Sequence, residues 1–124
     1  MAKVLIVDDA LFMRRMIRNA LEPLGFEIVG EASNGVEGLQ MFNELSPDIT
    51  TLDIVMPEMD GIETLEKIRE QSPDAKIIMI TAVDQRDSML QAMKLGVSDF
   101  VVKPFDEDRI ISAAEKALGR TLTA

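Results

Sequence analysis

Asp8 and Asp9, Asp53, Thr81 and Lys103 each stand at or just beyond the end of a short run rich in Val and Ile. Their types suit one chemistry. Carboxylates hold hard divalent cations, a carboxylate oxygen can attack phosphorus, and an ammonium and a hydroxyl can cover the oxygens of a transferring phosphoryl group. Three acids brought together repel one another and raise each other's pKa unless a cation joins them. Mg²⁺ meets that need, because it takes an octahedral shell of one or two carboxylates, waters and phosphate oxygens. On this reading Asp9 and Asp53 supply the carboxylates and the backbone carbonyl of Val55 could be a third ligand. Asp53 keeps an oxygen for phosphoryl transfer, which requires little of a protein beyond alignment and charge neutralisation. Taken singly, each residue has a plainer role: Asp8 or Asp9 as a helix N-cap, Thr81 as a strand end, Lys103 as a solvated turn residue before Pro104. Only their joint placement in one crevice selects the chemical reading.

The absences narrow the choice further. The sequence has no cysteine and no histidine. Disulfides, thiolate zinc sites, thiol nucleophiles and the commonest general base are thereby excluded, leaving carboxylates, hydroxyls, lysine and hard cations. Lys plus Arg number 13 against 22 Asp plus Glu, a net charge of −9, which repels nucleic acid and anionic headgroups. The apolar run after Lys3 is too short for a signal peptide, and no stretch approaches the roughly 18 apolar residues of a membrane span. The expectation is a soluble, cytoplasmic protein that binds neither nucleic acid nor membrane.

To place those residues together, the chain must alternate strands with helices. Strands are expected at Lys3–Val7, Glu27–Glu31, Ile49–Asp53, Lys76–Thr81 and Ser98–Val102, where Val and Ile dominate. Helices are expected at Leu11–Leu24, Val36–Leu45, Ile62–Gln71, Arg86–Leu95 and Asp106–Leu118, with apolar positions recurring at three and four. Asn34 and Asp60 suit N-caps; Gly25, Gly96 and Gly119 suit helix ends that need a left-handed residue. Strict β-α alternation with short turns implies a doubly wound parallel sheet, covered by helices on both faces. In such a sheet ligands bind at the carboxyl ends of the strands, where these residues lie. A length of 124 residues is one domain's worth. Met13, Met41, Met79 and Met93 lie in apolar stretches where core filling is the simplest role.

With Asp8-Asp9, Asp53-Ile54-Val55-Met56-Pro57, Thr81-Ala82 and Phe100-Val101-Val102-Lys103-Pro104-Phe105 in this order, the chain resembles the two-component response regulator receivers. It is most similar to stand-alone chemotaxis receivers of the CheY type, to which Asp8 through Arg15 adds a narrower likeness. The resemblance covers essentially residues 1–124 as one receiver domain. It implies the flavodoxin-like (βα)5 fold with strand order 2-1-3-4-5. It further implies that Asp53 is the phosphoacceptor, served by a CheA-like histidine kinase. By the same resemblance Asp9 is expected to bind Mg²⁺ directly and Asp8 largely through water, with Asp53 and the Val55 carbonyl completing the ligands. Lys103 pairs with the phosphoryl group, and Lys103-Pro104 is expected to be cis. The lack of histidine and of a glycine-rich ATP loop fits a phosphate delivered from outside.

For switching, phosphorylation adds nearly two negative charges, drawing Thr81 inward and letting Phe100 follow; without the family, Phe100 reads as a plain core aromatic. The resemblance implies that the fourth helix, fifth strand and fifth helix then present a changed face to a target, such as the flagellar motor switch. The chain is expected to be a monomer, with a phosphatase as a possible further partner. In the family, the residues two beyond the phosphoacceptor and two beyond the threonine influence dephosphorylation. Here they are Val55 and Val83, neither able to orient water, so self-dephosphorylation is expected to be slow and no catalytic turnover is expected. Among the rivals, a flavin module would place its phosphate against Asp8 and Asp9, and an aspartyl-phosphate phosphatase would need an acid at Val55. A receiver of another pathway, or the receiver part of a longer regulator, shares every motif.

Overall fold

The computed structural model describes residues 2–82 and 85–119. Its strands are β1 (Lys3–Val7), β2 (Glu27–Ala32), β3 (Ile49–Asp53), β4 (Lys76–Ala82) and β5 (Asp99–Lys103), and its helices α1 (Leu11–Leu21), α2 (Gly35–Leu45), α3 (Gly61–Gln71), α4 (Arg86–Lys94) and α5 (Glu107–Leu118). A single 3₁₀ turn, Glu22–Leu24, follows α1. All strand pairs are parallel, in the order β2-β1-β3-β4-β5. This is the expected doubly wound sheet. Residues 120–124 and Val83 lie outside the described residues.

β1 is buried from Val4 to Val7 because it lies inside the sheet, and side chains of successive residues go to opposite faces. Val4 and Ile6 pack with Ile17, Leu21, Ile110 and Ala114 of α1 and α5. Leu5 and Val7 pack with Phe42, Leu65, Ile68 and Ala92 of α2, α3 and α4. Leu52 and Met79 extend that second layer, while Ile49, Ile78 and Ile80 extend the first. Alanines at 113, 114 and 117 keep α5 thin where it meets the sheet.

Element ends follow local chemistry. The side chains of Asn34, Asp60 and Asp106 accept hydrogen bonds from the amides of Glu37, Glu63 and Arg109, each satisfying an orphan donor of a first turn. Gly25 ends the first helical segment at φ 94°, a conformation any Cβ would strain. Pro23 lacks the amide that would continue α1, so the expected helix to Leu24 closes as α1 plus the 3₁₀ turn. β5 runs from Asp99 to Lys103, displaced one residue toward the carboxyl end from the expected span, because Asp99 pairs Ile78 and Lys103 pairs Ala82. Met79 is fully buried, but Met93 is 62% exposed, correcting its reading as core: among the described residues only Ala92 of α4 is buried.

Candidate functional site

β1, β3 and β5 end at the same edge of the sheet, and their last residues meet there. One carboxylate oxygen from each of Asp8, Asp9 and Asp53 lies within 4.8 Å of the others. The Lys103 ammonium stands 3.2 Å from Asp8 Oδ2 and 3.3 Å from Asp53 Oδ2. Asp8 is 1% exposed and Asp53 6%, whereas Asp9 faces solvent. The Lys103-Pro104 peptide is cis, as expected.

Each acid is placed by its backbone. The Asp8 amide donates to the Ala32 carbonyl, extending the β1–β2 ladder, and Asp8 Oδ1 accepts from the Ala10 amide at 2.9 Å. Neither Asp8 nor Asp9 caps α1; Ala10 holds that position. Asp53 Oδ1 accepts from the Ile54 amide at 2.8 Å, which leaves Oδ2 toward Lys103. The Gly61 amide donates to the Ile54 carbonyl at 2.7 Å, folding the loop back on the end of β3. A Cβ at Gly61 would lie 2.0 Å from the Asp53 carbonyl oxygen, so only glycine admits this approach.

The cluster is short of positive charge. Burial and then the Asp8 charge push the Asp53 carboxyl up to about 6, against the pull of Lys103 and the Ile54 amide. Asp8 Oδ2 is buried with no hydrogen-bond donor, so the Lys103 contact there is an ion pair without hydrogen-bond geometry. Three clustered carboxylates, one with a buried oxygen that accepts no hydrogen bond, set against one ammonium form a group that fits a small divalent cation. Val55 lies two residues beyond Asp53 with its side chain 59% exposed. No hydrogen bond among the described residues occupies its carbonyl.

Thr81 is fully buried one residue beyond Ile80, the β4 partner of Asp53. Its hydroxyl donates to the Ala82 carbonyl at 3.3 Å. Phe100 pairs Met79 on β5, diagonal to Thr81, whose partner is Val102. It is half-buried against the second core layer and lines a surface cavity of about 340 Å³ with Val102, Phe105 and Arg109. Asp8 and Asp53 are thus brought into contact with Lys103, and Asp9 joins the two acids, while Thr81 and Phe100 stand in diagonal register on β4 and β5.

Three arginines escaped the motif reading. Arg14 donates from Nη1 to the Asp8 carbonyl at 2.7 Å and from Nε to Glu31 at 3.0 Å, and Arg18 also binds Glu31. Burial alone would raise the Glu31 carboxyl, but Arg18 and Arg14 together hold it below the usual range. Their spacing of four, which places both on one face of α1, was the available signal. Arg109 forks onto Asp99 at 2.9 and 3.1 Å and donates to the Phe100 carbonyl.

Residues 4–115 match the family model of the response regulator receiver domain. The chain belongs to that family. This receiver is 52% identical to the chemotaxis protein CheY of Listeria monocytogenes over 117 residues, covering 94% of this chain and 98% of that protein. It is 47% identical to CheY of Bacillus subtilis, with 94% and 97% covered. Among solved structures, the CheX-CheY-BeF3-Mg²⁺ complex from Borrelia burgdorferi superposes on this receiver with a TM-score of 0.89. There the identity is 33%, over 94% of this chain and 89% of that one. This receiver is thus a CheY-type signalling domain with the flavodoxin-like fold. Its acidic cluster can accommodate a metal, and no described helix is long and apolar enough to cross a membrane.

Proposed function

We propose that this chain is the phosphoacceptor switch of a two-component chemotaxis pathway, with residues 1–124 forming one cytoplasmic receiver unit. The observation that carries this reading is the meeting of Asp8, Asp9 and Asp53 around Lys103. Asp9, Asp53 and the Val55 carbonyl would hold Mg²⁺ directly and Asp8 largely through water, and the bound cation supplies positive charge to the phosphoryl oxygens. The Borrelia relative, solved with Mg²⁺ and BeF3, supports that ligand class.

Asp53 is the nucleophile. A carboxyl near 6 is mostly ionised at neutral pH, so an Oδ lone pair is available to attack phosphorus. The bond from phosphorus to the histidine nitrogen of a CheA-like kinase breaks as the new P–O bond forms, and the departing imidazole takes up a proton. The Lys103 ammonium and the Thr81 hydroxyl donate hydrogen bonds to the transferred group. Thr81 gives up its long bond to Ala82, and Phe100, diagonal to it, turns inward. Moving a switch from 1:99 to 99:1 needs about 5.5 kcal/mol. Two or three charge-assisted hydrogen bonds at roughly 1.5–3 kcal/mol each supply this. The changed α4–β5–α5 face then engages a target such as the flagellar motor switch. Val55 and Val83 offer no group to orient water, so hydrolysis of the phosphorylated form is slow without a partner phosphatase.

Incubation with acetyl phosphate and Mg²⁺, followed by intact-mass measurement, tests the reading. One added phosphate is expected on the wild type and none on Asp53→Asn or after chelation. Equal addition to Asp53→Asn would refute it.

A further inference from the structure

Arg14 sits one turn into α1, yet its guanidinium turns back to the loop that carries the acids. Nη1 donates to the Asp8 carbonyl at 2.7 Å while Nε binds Glu31 Oε1 at 3.0 Å. Glu31 is itself anchored: it pairs with Ile6 in the β1–β2 ladder, and Arg18 donates to its Oε2 from Nη2 at 2.6 Å and from Nε at 3.0 Å. The Arg14 side chain is 16% exposed and that of Glu31 24%, so this is a largely enclosed brace.

The carbonyl it holds belongs to the Asp8-Asp9 peptide. Because a peptide unit is planar, fixing its oxygen orients the plane as far as the Asp9 Cα, and so sets the direction in which the exposed Asp9 carboxylate leaves the chain. The Asp8 side fixes itself otherwise, through its amide on Ala32 and its Oδ1 on the Ala10 amide. Arg14 therefore bears chiefly on Asp9.

We propose that Arg14 is a positioning residue of the metal site, holding the Asp8-Asp9 peptide so that Asp9 presents its carboxylate to a divalent cation. This rests on the metal reading given above. Its signature is a sign. Arg14 carries a positive charge near a cation site, so by Coulomb's law alone its removal would tighten Mg²⁺ binding; loss of positioning would weaken it. The neighbouring Arg15, which is exposed, carries the same charge without the brace.

Calorimetric titration of Mg²⁺ into wild type, Arg14→Gln, Arg14→Lys and Arg15→Gln, with metal-free melting curves for each, tests this. Arg14→Gln is expected to weaken Mg²⁺ roughly tenfold or more, the scale on which supporting residues act on metal affinity. Arg15→Gln is expected to leave affinity at or slightly above wild type. Arg14→Lys keeps the charge, but a single ammonium cannot reproduce the fork, so it too binds Mg²⁺ more weakly than wild type. Mg²⁺ affinity of Arg14→Gln equal to or above that of wild type overturns the inference and leaves the metal reading intact. If Arg14→Gln does not fold, the same outcome in Arg14→Lys does so. A wild type that binds no Mg²⁺ overturns both.

Discussion

The Lys103 ammonium stands 3.3 Å from Asp53 Oδ2, and it touches Asp8 at almost the same distance. One cation thus serves two acids that are both nearly excluded from water. Removing it would leave an uncompensated buried charge, among the costliest single changes a protein can suffer. Lys103→Met is expected to destabilise the metal-free protein by about 3 kcal/mol at pH 7.5. The loss should shrink near pH 4.5, where Asp53 is protonated. Urea unfolding at both pH values checks it; an equal loss at both would mean that the contact is not electrostatic.

The raised Asp53 carboxyl sets a pH dependence of definite sign. Its folded value of about 6 exceeds the ordinary 3.8, so the folded state holds this proton more tightly than the unfolded chain does. The resulting stability is complete below 3.8, fades as pH rises, and is gone above 6. A gap of two units is worth about 3 kcal/mol. Without metal, Asp53→Asn should therefore be more stable than wild type at pH 7.5, by up to that amount, and no more stable at pH 4. Chemical denaturation in EDTA at the two pH values measures the difference.

Thr50 and Thr51 carry buried hydroxyls with no hydrogen-bond partner among the described residues. Thr51 lies between Ile6 and Ile78, and Thr50 between Leu5 and Ile77. Replacing an unsatisfied hydroxyl by a methyl removes a desolvation cost and keeps the branched shape. Thr51→Val is expected to raise stability by about 1 kcal/mol without altering Mg²⁺ affinity. A melting temperature below wild type would show that the hydroxyl does have a partner in solution.

Gly61→Ala should do the opposite. The added methyl would collide with the Asp53 carbonyl, which is backbone and cannot swing aside. A cost of about 3 kcal/mol is expected, the upper range of overpacking, together with weaker Mg²⁺ binding because the end of β3 is displaced. The paired measurement is a melting curve and a metal titration; a stability loss with unchanged affinity would place the strain on α3 alone.

Much of this molecule is legible in its sequence. The runs around Val4–Val7 and Ile77–Ile80 are apolar because both faces of the inner strands are covered, so they announce a parallel sheet, and the acids and lysine that follow announce the edge where charge collects. What escapes is anything set by distant contacts. β5 is displaced by one residue because its register is fixed by β4 rather than by its own composition. Met93 sits in an apolar stretch yet faces outward, since Ala92 is the one buried residue among those described of α4. Arg14 looks like any surface cation until β2 brings Glu31 beside it. Thr81 is placed at a strand end by its position after Ile80, but its diagonal relation to Phe100 depends on strand register.

Arg69, near the end of α3, donates to the carbonyls of Ala75 and Leu95 at 2.7 and 2.6 Å and to that of Gly96 at 2.9 Å. Those carbonyls belong to the turns leading into β4 and β5, so one guanidinium ties together the amino-terminal rim of the sheet, opposite the acids. The architecture therefore divides its labour along the strand direction: a cross-linked foundation below, and above it a rim of clustered carboxylates that could hold a visiting ion.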